Sequence, residues 1–190
     1  MGKTWKYKSM FDLDMREDSF GDILFNAGVD VVAVDYDQFD THEQIYKQAI
    51  TSEKLFKPDF VMGYCYGAFP AAHCSKSGLI LLDPCAKPCS PENSSIVDMD
   101  AFMPKYEYDT ATKNELISEP PLSIPLDKIA FKVNIFLSAE NENSEKDMRG
   151  LKYRHIKNKE IQVIPDSTHW IMIEPARYTL ANKILEIMDA

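Results

Sequence analysis

The chain has 190 residues, the length of one ordinary domain. Apolar types make up 45% and charged residues 27%, which excludes a disordered chain and a membrane-spanning one. Thirty acidic against 21 basic residues give a net charge of −9. Such a surface repels phosphate backbones and anionic lipid, so no nucleic-acid or membrane partner is expected.

The opening MGKTWKYKSM lacks the apolar core of a signal peptide, and no apolar run approaches the length of a bilayer span. Met1-Gly2 opens like a myristoylation site, but Lys6 stands where Ser or Thr is required. The four cysteines, Cys65, Cys74, Cys85 and Cys89, are few for a disulfide scaffold. A reducing, cytoplasmic setting is therefore the expectation.

Apolar runs and helical patterns alternate along the chain. Lys3–Phe11 is a candidate strand of poor period. Ser19–Ala27 carries Phe20, Ile23, Leu24 and Ala27 at helical spacing and ends on Gly28. Val29–Asp35 is a β-branched run that predicts a strand buried on both faces. Thr41–Phe56 predicts a helix, stopped by Pro58, whose core face would hold Ile45, Ala49 or Ile50, and Leu55 or Phe56. Asp59–Met62 predicts a strand, Ala68–Ser75 a small-residue helix and Leu79–Leu82 the next strand. The stretch from Pro84 to Pro125 then holds seven of the 11 prolines. A segment of this length inside one domain predicts a lid or binding insertion, bounded here at residues 84–127. Val133–Leu137 predicts a strand, Ser144–Tyr153 a helix, Ile161–Ile164 a last strand and Ala176–Met188 a closing helix. That helix would bury Tyr178, Leu180 or Ala181, Ile184, Leu185 and Ile187. The alternation predicts a single α/β domain over residues 1–190, a three-layer αβα sandwich with a mostly parallel sheet. Its ligand edge would be the carboxyl ends of the strands.

The chemistry-bearing signal is Gly63-Tyr64-Cys65-Tyr66-Gly67, set between a predicted strand and a predicted helix. It matches the nucleophile-elbow pattern G-x-S-x-G with cysteine in the serine position. Glycines are needed there because side chains flanking so sharp a turn would strike the adjoining strand and helix. A cysteine opening a helix meets the positive end of its dipole, which favours the thiolate. The backbone N–H of Tyr66 would then be available to a developing oxyanion. The bland alternative is a buried structural cysteine beside a tight turn.

A second signal is Ile164-Pro165-Asp166-Ser167-Thr168-His169-Trp170, between the last predicted strand and the closing helix. With this stretch, with the elbow and with Glu174-Pro175 ahead of a helix, the sequence resembles the α/β-hydrolase superfamily. The resemblance implies a trimmed version of that fold with a lid insertion. It also implies that His169 is the general base and acid serving Cys65. For the acid that orients His169, the resemblance ranks Glu142 first, Asp83 second and Glu140 third. The family's early His-Gly is replaced by Met10-Phe11-Asp12-Leu13-Asp14, which leaves the backbone of Leu13 as the candidate second oxyanion donor. Within the insertion, Phe102, Met103, Tyr106 and Tyr108, with Leu122 and Ile124, are the candidate substrate wall.

No metal or other cofactor is expected. Cys85 and Cys89, with Cys74 and His73 upstream, suit no common zinc spacing. The cluster Asp12, Asp14, Glu17 and Asp18 reads as a solvated loop. His42, His73 and His155 read as surface or helix residues.

The elbow resembles that of dienelactone hydrolases, and the His169 neighbourhood that of stand-alone thioesterases. The preferred expectation is hydrolysis or transfer of an acyl group from an ester or thioester through a Cys65 acyl-enzyme, on a small-molecule or carrier-bound acyl substrate. A lactone or carbon–carbon hydrolase is the alternative enzyme. A catalytically weak binding protein on the same fold is the alternative from another class.

Overall fold

The computed structural model describes residues 18–34, 42–74, 77–84, 132–139, 158–168, 170–173 and 175–189, without the side chains of His42 and Tyr66. Helix α1 spans Phe20–Asn26 and α2 His42–Phe56. Strand β1 spans Phe60–Tyr64, followed by a 3₁₀ turn at Cys65–Gly67 and helix α3 at Ala68–Ala72. Strands β2, β3 and β4 span Gly78–Leu82, Val133–Ser138 and Lys159–Ile164. Helix α4 spans Ala176–Met188. The candidate strand at Lys3–Phe11, the candidate helix at Ser144–Tyr153 and the insertion beyond Pro84 lie outside the described residues.

The four strands pair in the order β1-β2-β3-β4, every pair parallel. Parallel pairing puts all four carboxyl ends on one edge. The register Tyr64↔Leu82, Leu82↔Phe136 and Ser138↔Ile164 keeps those ends nearly level. Alternate residues of each strand bury into opposite layers. Ile80, Leu82 and Phe136 join Phe20 and Leu24 of α1 and Leu180 and Ile184 of α4 in one core. Leu79, Leu81, Val133, Ile135 and Leu137 join Ala68, Ala71 and Ala72 of α3 in the other. The layering is the expected αβα sandwich.

Helix α1 is closed by local chemistry at both ends. The Asp22 N–H donates to Ser19 Oγ while the Ser19 N–H donates to Asp22 Oδ2, a capping box. At the other end the Gly28 N–H donates to Phe25 O and the Val29 N–H to Leu24 O, with Gly28 at φ 89°. This is a Schellman motif, and Val29 and Leu24 pack in the same core beneath it.

Three sequence expectations are corrected. Residues 29–34 carry no strand. Val29 and Val31 pack on the core but Val32 is 56% exposed, so the run is buried on one side only. Its first residue is held back by the α1 carbonyl, and Asp30 interrupts its apolar character. In α2 the buried stripe is Ile45, Tyr46, Ala49 and Glu53, whereas Leu55 and Phe56 are exposed. A helical step of four from Ala49 lands on Glu53, and that buried carboxylate accepts hydrogen bonds from the Ser77 N–H and Oγ, both at 3.1 Å. Tyr178 of α4 is exposed, its ring lying under the Arg177 guanidinium at 4.6 Å. Arg177 takes the buried place, donating to the carbonyls of Ile173 and Asp18.

Two glycines test what the backbone requires. A Cβ on Gly63 would lie 2.5 Å from the Gly67 carbonyl oxygen, 2.7 Å from Ala68 Cα and 2.7 Å from Ala71 Cβ. A Cβ on Gly28 would meet nothing within 4 Å and would suffer only its left-handed backbone. Gly28→Ala is therefore expected to lower stability by about 1–2 kcal/mol. Gly63→Ala is expected to exceed that, at or above the ~1–3 kcal/mol of an overpacked core, because two of the three obstructing atoms are backbone. Urea unfolding midpoints check the order, and a Gly63→Ala protein more stable than Gly28→Ala contradicts it.

Candidate active site

Cys65 follows the last residue of β1 with φ 50°, in the left-handed region, and the chain turns at once into the 3₁₀ turn and α3. For a residue with a Cβ this backbone costs on the order of 1–3 kcal/mol and persists only where the surroundings impose it. Here the surroundings are visible. The hydrogen on Gly63 faces Gly67, Ala68 and Ala71 and lets α3 lie directly against β1. Gly67 itself has helical angles, φ −58° and ψ −14°, which any residue adopts. At position 63 the demand for glycine is a demand for space. Cys65 is a half-buried thiol in no disulfide, packed at the margin of the α1/α4 core. Tyr66 is the middle residue of the 3₁₀ turn. Amides at the start of a helical turn have no partner within that turn.

Asp83 stands one residue past β2, at the level of Cys65 on the neighbouring strand. It is fully buried and also left-handed, φ 38°. Its N–H donates to Phe136 O at 2.7 Å. Its Oδ1 accepts from the Ser138 N–H at 3.2 Å and from Ser138 Oγ at 3.3 Å. The next amide, Ala139 N–H, donates to Ser167 Oγ at 3.1 Å, and Ser167 Oγ donates to Ile164 O at 2.6 Å. A belt of side-chain hydrogen bonds thus runs across the carboxyl ends of β2, β3 and β4. Asp166, just past β4, is left-handed as well, φ 50°. Among the described residues, three of the four non-glycine residues with positive φ therefore sit past strand ends on this one edge, with Lys57 the exception.

Of the sequence candidates, Cys65, the Tyr66 backbone and Asp83 are brought to this edge. His169, Glu142, Glu140, Leu13, Phe102, Met103, Tyr106, Tyr108, Leu122 and Ile124 lie outside the described residues, as do Cys85, Cys89 and His155. The residues flanking His169 are described. Thr168 Oγ1 accepts from the Trp170 N–H at 3.2 Å, and Trp170 is buried. Sequence reasoning missed Ser138 and Ser167. Their signal was a polar residue directly after an apolar strand and one inside a Ser-Thr pair ahead of a histidine. Among the described residues no group of three or more His, Cys, Asp or Glu could hold a metal ion. Among them, too, no helix is long and apolar enough to cross a membrane. His73 stacks on Tyr46 with ring centroids 4.4 Å apart, and its Nδ1 lies 2.7 Å from Phe69 O.

Cys74, unlike half-buried Cys65, is buried. Burial, followed by the Glu53 charge, pushes its thiol up from 9.0 to about 12.

No family model matches the sequence, and no curated protein does. Solved structures do resemble the fold. An alpha/beta-hydrolase family protein from Desulfitobacterium hafniense superposes with a TM-score of 0.60 at 15% identity, covering 98% of this chain and 93% of that one. A lipase-esterase related protein from Clostridium acetobutylicum gives 0.53 at 10% identity, covering 97% and 90%. A marine microorganism esterase gives 0.50 at 13% identity, covering 80% and 79%. The chain has the α/β-hydrolase fold.

Two outcomes follow from the contrast between the thiols. Iodoacetamide at neutral pH is expected to modify Cys65 in the folded protein and to leave Cys74 untouched until denaturant is added. Peptide mass mapping reads this directly, and early modification of Cys74 contradicts it. Between about pH 9 and about 12 the folded state keeps the Cys74 proton that the unfolded state loses, so stability falls as pH rises through that window. The loss from this group is at most about 1.4 kcal/mol per pH unit. Cys74→Ala should flatten that slope in urea titrations at successive pH values.

Proposed function

We propose that this protein is a hydrolase or acyltransferase that cleaves an ester or thioester through an acyl-enzyme on Cys65, with His169 as general base and then acid. The observation that carries this reading is the left-handed backbone of Cys65, at the sheet edge where α/β proteins bind ligands. A cysteine has no intrinsic preference for that conformation, unlike the Asn, Asp or Gly usually found there. Strained residues cluster at active sites, which supports reading Cys65 as a positioned nucleophile. The neighbours named as esterases are consistent with it.

The chemistry runs in two halves. His169 takes the thiol proton, and the Cys65 sulfur attacks the carbonyl carbon, forming a C–S bond as the carbonyl electron pair moves to oxygen. The Tyr66 N–H, with a second donor assigned to the backbone of Leu13, holds that oxyanion. Its collapse breaks the bond to the alcohol or thiol leaving group, which takes the proton from His169. Water or an acceptor nucleophile then adds to the acyl-thioester, giving its proton to His169, and collapse returns the thiol to Cys65. A thioester substrate suits this nucleophile, since one thioester replaces another at little thermodynamic cost.

The acid that orients His169 is assigned to Asp83 ahead of Glu142 and Glu140. Asp83 is buried, held by Ser138 and level with Cys65 on the adjacent strand. One oxygen of its carboxylate accepts both Ser138 bonds, which fixes the plane of the group.

Turnover of para-nitrophenyl acetate and of a simple acetyl thioester tests the reading. Cys65→Ala is expected to abolish turnover, and His169→Ala to lower it by about 10²-fold or more. Asp83→Asn should lower turnover more than Glu142→Gln. Unchanged turnover in Cys65→Ala overturns the proposal. A panel that favours lactones over both esters and thioesters transfers it to the lactonase alternative. Absence of turnover on every acyl donor favours the binding-protein alternative.

A further inference from the structure

We infer that Ser167 is a positioning residue for His169, acting through the hydrogen-bond belt that crosses the strand ends; this rests on the assignment of His169 as the base. Ser167 is 5% exposed, and its hydroxyl is used in both directions. It donates to Ile164 O at 2.6 Å, closing the turn in which Pro165 and left-handed Asp166 leave β4. It accepts from the Ala139 N–H at 3.1 Å, reaching across to the end of β3.

The preceding amide, Ser138 N–H, is taken by Asp83 from the other side. Two consecutive amides at the end of β3 are therefore held by side chains from the two flanking strand ends. The carboxylate assigned as the acid and the loop assigned to carry the base are thereby registered on one common element. Beyond Ser167, the Thr168 hydroxyl accepts from the Trp170 N–H and spans residue 169. Trp170 is buried, and its carbonyl accepts from the Ile173 N–H at 2.8 Å. Ile173 O in turn accepts from buried Arg177 Nη1 at 2.7 Å. The chain is thus fixed on both sides of His169. Ser167 ties it to the end of β3.

A displacement of about 1 Å in a general base can cost about a hundredfold in rate. Ser167→Ala removes the cross-strand bond with little change of volume. Its acylation rate on para-nitrophenyl acetate, corrected for folded fraction, is expected to fall by about tenfold to a hundredfold with KM little changed. Ser167→Thr keeps the hydroxyl and is expected to recover most of that rate. Should Ser167→Ala not fold, Ser167→Cys serves in its place, with a loss in the same direction. A folded Ala or Cys variant that acylates at the wild-type rate overturns the inference. So does equal impairment of the Ala and Thr variants, which would mark Ser167 as a packing residue only. His169→Ala measured alongside separates the two claims. If it retains the wild-type rate, the base assignment has failed, whereas its loss together with a fully active Ser167→Ala defeats only the positioning role.

Discussion

The site depends on one close approach, the bare Cα of Gly63 against the first turn of α3. With atoms of Gly67, Ala68 and Ala71 standing where a Cβ would go, strand and helix are as close as two backbones can usefully be. The residue joining them, Cys65, adopts φ 50°. Small residues continue the device, since Ala68, Ala71 and Ala72 form the inner face of α3 on Leu79 and Leu81. The local strain at one thiol is thus sustained by a whole packed layer, in keeping with the rule that strain survives where surroundings over-determine it.

A second constraint acts across the sheet. Beyond their last paired residues, parallel strands have no ladder to hold them, and their amides would otherwise face an edge. Asp83 and Ser167 supply the missing acceptors for Ser138 and Ala139. The outcome is a sheet edge stiff from β2 to β4, on which loops can carry chemistry with fixed relative positions. The other side of the molecule shows the same use of a buried carboxylate, where Glu53 anchors the entry to β2 through Ser77. There burial, with the Glu53 charge adding to it, pushes the Cys74 thiol up to about 12.

What the sequence disclosed follows from how local each cause is. The strands found at Phe60–Tyr64, Gly78–Leu82, Val133–Ser138 and Lys159–Ile164 were legible, to within two residues at their ends, because each holds a short apolar run. The elbow was legible because its requirements fall within five residues. The end of α1 was legible for the same reason, as Gly28 alone signals a left-handed cap. Residues 29–34 misled because a β-branched run satisfies an extended segment packed on one side as readily as a central strand. Leu55 and Phe56 misled because the partner that permits Glu53 to be buried, Ser77, lies 24 residues away. Ser138 and Ser167 were missed because their local signal is weak, and a serine gains its meaning only when strand ends far apart in sequence are laid side by side.

The central claim concerns where an acyl group is carried. Rapid acid quench during turnover of an acetyl thioester, followed by peptide mass mapping, tests it most directly. The account predicts an acetyl increment on the peptide containing Cys65, formed and lost at rates compatible with turnover. Turnover that proceeds with that peptide unmodified throughout, or with the acetyl group on another residue, contradicts it.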